Sequence, residues 1–108
     1  MAYRFTPAIS RLISQLAKLP GIGQKTAQRL AFHILDDSRE DAMALSDAIR
    51  DALATVRLCS TCCNLTEDDP CDICSSNARD KTRILIVENP RDVAAMERIH
   101  DYRGLYHV

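Results

Sequence analysis

The chain has no tryptophan and, in 108 residues, only two phenylalanines and three tyrosines. So little aromatic volume excludes one large core, and 46% apolar content is enough for one modest core or two very small ones. Cores of that size commonly need a staple. No uninterrupted apolar stretch approaches the length that spans a bilayer, and residues 1–10 lack both a long apolar run and a small-residue cleavage pattern. The expectation is a cytoplasmic chain with no membrane partner, in a compartment where thiols persist as thiols. Acid is missing from the first 35 residues, which hold Arg4, Arg11, Lys18, Lys25 and Arg29 for a local charge of +5. The other nine basic and 15 acidic side chains give −6, so the overall charge of −1 conceals a front end suited to a polyanion. Taken alone, that split is equally that of an ordinary solvated basic face.

What is present begins with four cysteines in two matched pairs, Cys59-x-x-Cys62 and Cys71-x-x-Cys74. Each pair brackets a two-residue turn that lets both thiolates face one ion, and four sulfurs complete the tetrahedral shell that zinc prefers. With no position open to water or substrate, the expected role is one structural Zn²⁺ whose binding is linked to folding. Two disulfides or ordinary buried thiols would suit a secreted chain better. Cys63 lies outside the bracket and reads as a spare thiol packed beside the site. Glu67-Asp68-Asp69-Pro70 lacks the alternate spacing of a calcium loop and reads as an exposed turn.

Upstream, Thr6 is placed to cap a helix, Pro7 sits where a missing N–H is tolerated, and Ile9, Leu12, Ile13, Leu16 and Leu19 recur at helical spacing. Pro20 ends that helix. Gly21-Ile22-Gly23 makes a tight turn in which both glycines can take angles closed to other residues, and a second helix runs from about Gln24 to Leu35. Its Ala27, Leu30, Ala31 and Ile34 face the first helix, while Lys25, Arg29 and His33 line another face. A third helix is expected over about 39–57, capped by Ser38, with Ala42, Leu45, Ile49, Leu53 and Val56 as its buried edge. Beyond the cysteines, Arg83-Ile84-Leu85-Ile86-Val87-Glu88 reads as a buried parallel strand. Asn89-Pro90 then opens a helix packed through Val93, Met96 and Ile99, with Asp92 and Glu97 on its polar face, and Gly104 ends it before Leu105-Tyr106-His107-Val108.

The Leu19-Pro20-Gly21-Ile22-Gly23 junction resembles the helix-hairpin-helix of DNA repair proteins. Glycines let a phosphate approach the backbone, free N–H groups opening the second helix donate to its oxygens, and Lys25 and Arg29 add charge beside them. Such contacts read no base, so binding is expected to ignore sequence and respond to salt. A hairpin used only for packing is the bland alternative.

The order of parts, that hairpin, the four-cysteine knuckle, then Ile84-Leu85-Ile86-Val87-Glu88-Asn89-Pro90-Arg91-Asp92-Val93 and Gly104-Leu105-Tyr106-His107-Val108, closely resembles the bacterial RecR family of recombination mediators over essentially the whole chain. The resemblance implies an α+β fold: helix-hairpin-helix and connecting helix over 1–56, a four-cysteine zinc finger over 57–78, and the first β-α-β of a Toprim domain over 79–108 whose remainder is missing. It implies DNA contact through Lys25 and Arg29, to which the hairpin reading adds Lys18, Gly21 and Gly23 as expected DNA-binding residues, and it implies zinc on Cys59, Cys62, Cys71 and Cys74. It further implies ring-shaped tetramers that act with RecO and RecF proteins to load RecA onto gapped or single-stranded DNA. Glu88 falls where catalytic Toprim domains keep a glutamate, but no Asp-x-Asp follows to hold magnesium, so the expectation is a module without catalysis. The alternatives are a structural oligomerisation module without DNA binding and a metal-dependent DNA enzyme.

Overall fold

The computed structural model describes residues 4–108, an α+β chain that divides into two compact units, residues 1–50 and 51–108.

In the first unit, α1 (Pro7–Ala17) and α2 (Gln24–Asp36) form a hairpin of two packed helices. The start of α1 follows from its first residues: the Ile9 amide donates to Thr6 Oγ1 at 3.3 Å, and Pro7 occupies the first turn, where no N–H is needed. Ile13, Ala27 and Ala31 form the buried centre, with Phe5, Ile9, Leu12, Leu16, Ala17 and Ile22 packed around it. The two alanines let the helix backbones approach closely, which is how so small a hairpin closes a core. Of the two glycines in the turn, Gly21 alone is left-handed, with φ +80°. Gly23 is extended (φ −85°, ψ 179°), a conformation open to any residue, so its lack of a side chain is not required by the backbone.

α3 (Arg39–Thr55) begins as expected, the Asp41 amide donating to Ser38 Oγ at 3.1 Å. Its anticipated buried edge is corrected by the structure. Leu45 and Ile49 are more than half exposed, Leu53 is 82% exposed, and no residue of α3 is buried. An apolar stripe records what a helix can bury, whereas burial needs a partner surface, and among the described residues none covers this one.

In the second unit, β1 (Arg57–Leu58) and β2 (Leu65–Thr66) pair antiparallel around the first cysteine pair, and the one-turn α4 (Asp72–Ser75) carries the second. β3 (Asp80–Ile86), α5 (Pro90–Ile99) and β4 (Gly104–His107) follow as a β-α-β crossover, with β3 and β4 parallel and Leu85 opposite Tyr106. Asn89 and Asp92 build a reciprocal capping box at the start of α5. The packed side of α5 centres on Val93, while Ile84, Ile86 and Ile99 are mostly exposed, so β3 is not buried on both faces as the sequence pattern suggested. Paired with β4 alone, β3 leaves Ile84 and Ile86 without cover among the described residues.

Two further details depart from expectation. Glu97 is no polar-face residue: it accepts hydrogen bonds from the Arg79 guanidinium and from the Tyr106 hydroxyl (2.5 Å), while Arg79 Nη1 donates to the Tyr102 and Gly104 carbonyls at 3.2 and 3.3 Å. Burial works against ionisation of Glu97, but the Arg79 and Tyr106 hydrogen bonds outweigh it and hold the carboxyl below its ordinary value. A lowered carboxyl stabilises the fold above its unfolded value and loses that contribution as the pH falls through the folded one. Melts should therefore show an acid-sensitive loss below about pH 4.5 that is smaller in Glu97→Gln, and an unchanged acid limb in that variant would contradict the assignment. Gly104 does not end α5, which stops at Ile99 with His100 left-handed (φ +62°); it opens β4 and is buried, and a Cβ there would meet the Arg83 carbonyl oxygen at 2.9 Å and the Tyr102 ring more closely still. Gly104→Ala should lower stability by about 1–3 kcal/mol in denaturant titration, and a neutral result would mean that the β3–β4 pairing yields easily.

Candidate metal centre and nucleic-acid interface

The knuckle is built from backbone turns that aim sulfur inward. After β1, the Cys59 amide donates to the Asn64 carbonyl at 2.7 Å and the Cys63 amide to the Cys59 carbonyl at 2.9 Å, with Cys63 itself left-handed at φ +65°. Cys71 is the residue before α4, which places Cys74 one turn on, and the Cys71 amide points at Cys59 Sγ, 3.4 Å away. All four Sγ atoms lie within 4.8 Å of one another, with Cys59–Cys74 at 3.9 Å and Cys62–Cys71 at 3.7 Å. A tetrahedron of sulfurs each about 2.3 Å from zinc has edges of about 3.8 Å, so the cluster already has the dimensions of a zinc shell. Cys59, Cys62 and Cys71 are buried, Cys74 is half-buried, and all five cysteines are free thiols. The donor set and spacing fit one Zn²⁺, which when bound supplies a structural crosslink.

The electrostatics of the bare cluster agree with that reading. Burial opposes ionisation of Cys59, yet the amides of Cys71, Cys62 and Thr61 outweigh it and bring that thiol down to about 6. Burial pushes Cys62 up to about 11, and burial together with the neighbouring sulfurs raises Cys74 further. Four thiolates cannot coexist at these distances without a cation, and binding one releases the protons the cluster otherwise keeps. The acidic turn contributes as well. Asp69 accepts from the Ser60 amide and hydroxyl, both at 2.9 Å, which keeps its carboxyl below the usual range and ties 67–70 to the first cysteine pair. The Val108 amide donates to the Cys62 carbonyl at 2.9 Å, so the end of β4 is fastened to the knuckle.

In the first unit, Lys18, Gly21, Gly23, Lys25 and Arg29 are all exposed. Gly23 precedes α2 without any side-chain cap, leaving the first amides of that helix without a side-chain acceptor. Lys25 and Arg29 are one turn apart, and the ion pair found among the described residues, Arg79–Glu97, does not involve them. They line a shallow depression of about 500 Å³ together with Gln28 and Phe32. Lys18 and His33 do not line that depression. The sequence reading missed Gln28 and Phe32, although Phe32 stands seven residues after Lys25 and three after Arg29, the spacing of a shared helix face. Glu88 is exposed just beyond β3.

Residues 9–53 match the family described as "RecR, helix-hairpin-helix", and residues 56–76 match the family of RecR zinc finger domains built on four cysteines. The chain is 52% identical over 105 residues to the recombination protein RecR of Acidobacterium capsulatum, covering 97% of this chain and 53% of that protein. It is 53% identical over 104 residues to RecR of Geobacter sulfurreducens (96% and 52%) and 54% identical over 108 residues to RecR of Heliobacterium modesticaldum (100% and 54%). It thus spans about half the length of the curated relatives it matches. With the hairpin and the sulfur cluster in the places these matches require, the chain belongs to the RecR family of recombination proteins.

Proposed function

We propose that the chain is the DNA-binding and metal-stapled portion of a non-catalytic recombination mediator, acting in the cytoplasm at gapped or single-stranded DNA. The observation that carries this reading is the exposed glycine turn: an uncapped helix start flanked by Lys25 and Arg29, with Lys18 nearby in sequence, in a stretch of 35 residues holding no acid. Lys18, Gly21, Gly23, Lys25 and Arg29 bind phosphate, and Cys59, Cys62, Cys71 and Cys74 hold zinc. The hairpin and its connecting helix occupy 1–56 and the finger 57–78. Residues 79–108 open a Toprim-like domain whose further elements cover Ile84, Ile86 and Ile99. Work with RecO and RecF proteins in loading RecA, and assembly into a ring, belong to the same proposal. The uncovered stripe on α3 supports self-association alongside DNA binding.

Filter binding on two duplexes of unrelated sequence tests the core of this. Both should bind equally, with log affinity falling against log salt by about 0.9 per phosphate neutralised. Salt-insensitive binding, or a strong preference between the sequences, would overturn it.

A further inference from the structure

We infer that Phe32 is a stacking platform for an unpaired nucleobase, so that α2 binds single-stranded nucleic acid in preference to duplex. The inference rests on the proposed phosphate-binding role of Lys25 and Arg29 and adds the side chain that distinguishes an unpaired base from a paired one. Lys25, Gln28, Arg29 and Phe32 follow one another at steps that share a helix face and line one depression on α2. Phe32 is 44% exposed in a chain with only two phenylalanines, and its ring is braced by Phe5 in an edge arrangement, centroids 5.6 Å apart and planes inclined at 61°. The surroundings identify the occupant. Lys25 and Arg29 are the charged residues lining that depression, with Asp36 one turn beyond Phe32 on the same helix, so an apolar ring beside two cations suits a molecule that is both anionic and aromatic. At about 1.5 Å per residue, Lys25 and Arg29 lie about 6 Å apart along the axis, with Phe32 about 4.5 Å further on. An extended strand can place successive phosphates on the two cations and its next base on the ring, with the Gln28 amide beside it. In a duplex the faces of the bases are taken by their neighbours, and Phe32 has nothing to stack on.

The test uses the full chain, an oligothymidine and a duplex of matched length at one salt concentration, with Phe32→Leu and Phe32→Tyr. Phe32→Leu should weaken oligothymidine binding about 10-fold while duplex binding changes less than about twofold, and Phe32→Tyr should retain both. In the unaltered chain, Phe32 ring protons should shift upfield on adding oligothymidine and not on adding duplex. Equal losses for both probes, no loss, or an unshifted ring would overturn the inference. So would a change in sedimentation for Phe32→Leu, which would show that a second copy covers the ring. Failure of the underlying reading looks different: Lys25→Ala plus Arg29→Ala would then leave both affinities intact.

Discussion

Removing zinc with a strong chelator should unfold residues 51–108 and leave α1 and α2 folded. Outside the sulfur cluster, the buried apolar residues of the second unit are Val93 and Tyr106. Full burial of a large side chain contributes about 1.5–3 kcal/mol, whereas ordering each backbone residue costs about 1–2 kcal/mol, and a core of that size cannot hold 58 residues unaided. A structural zinc contributes an apparent stabilisation of about 10–16 kcal/mol, of the order of an entire domain's stability. Cys59→Ser should act in the same direction, since it removes the most deeply buried ligand. Amide hydrogen exchange provides the measurement. Protection over β3, α5 and β4 should vanish with the metal, because Val108 is bonded to Cys62, while amides around Ile13, Ala27 and Ala31 keep theirs. Undiminished protection of β4 in metal-free protein would show that the cluster is a bystander.

Lys25→Ala plus Arg29→Ala should reduce DNA affinity about 100-fold at moderate salt. Each charge-assisted hydrogen bond to a phosphate is worth about 1.5 kcal/mol or more, and two such losses together give roughly that factor. The salt slope should also flatten by nearly two, one step per cation removed. Alanine is the best helix former and both positions are exposed, so α2 should remain intact and the loss can be read as binding. If affinity and slope both stay as they were, the hairpin is not the DNA-binding surface.

The parts legible in the sequence were those whose physics is local. Thr6 and Pro7 mark the start of α1, the Ile13 stripe marks its inner side, and two-residue brackets between cysteines specify a metal shell without reference to anything distant. What escaped depends on partners far along the chain. Glu97 looks like any surface acid until Arg79 and Tyr106, 18 and nine residues away, close on it. The stripe on α3 has helical period whether or not a surface meets it, so Leu53 could not announce its exposure. Phe32 was hidden by its own hydrophobicity, since an aromatic residue near two buried alanines suggests packing before it suggests a platform. Gly23 misled in a different way: glycine is compatible with unusual angles, but this one does not use them.

β3 is paired along one side only, with isoleucines standing proud of it. The same strand carries Lys81 and Arg83, both exposed, the latter with its guanidinium over the Tyr102 ring, and positive charge on an edge strand discourages a neighbour from docking there in register. Colloidal behaviour should follow from that balance: concentrated stocks stay clear in dilute buffer and turn cloudy as added electrolyte masks the two side chains.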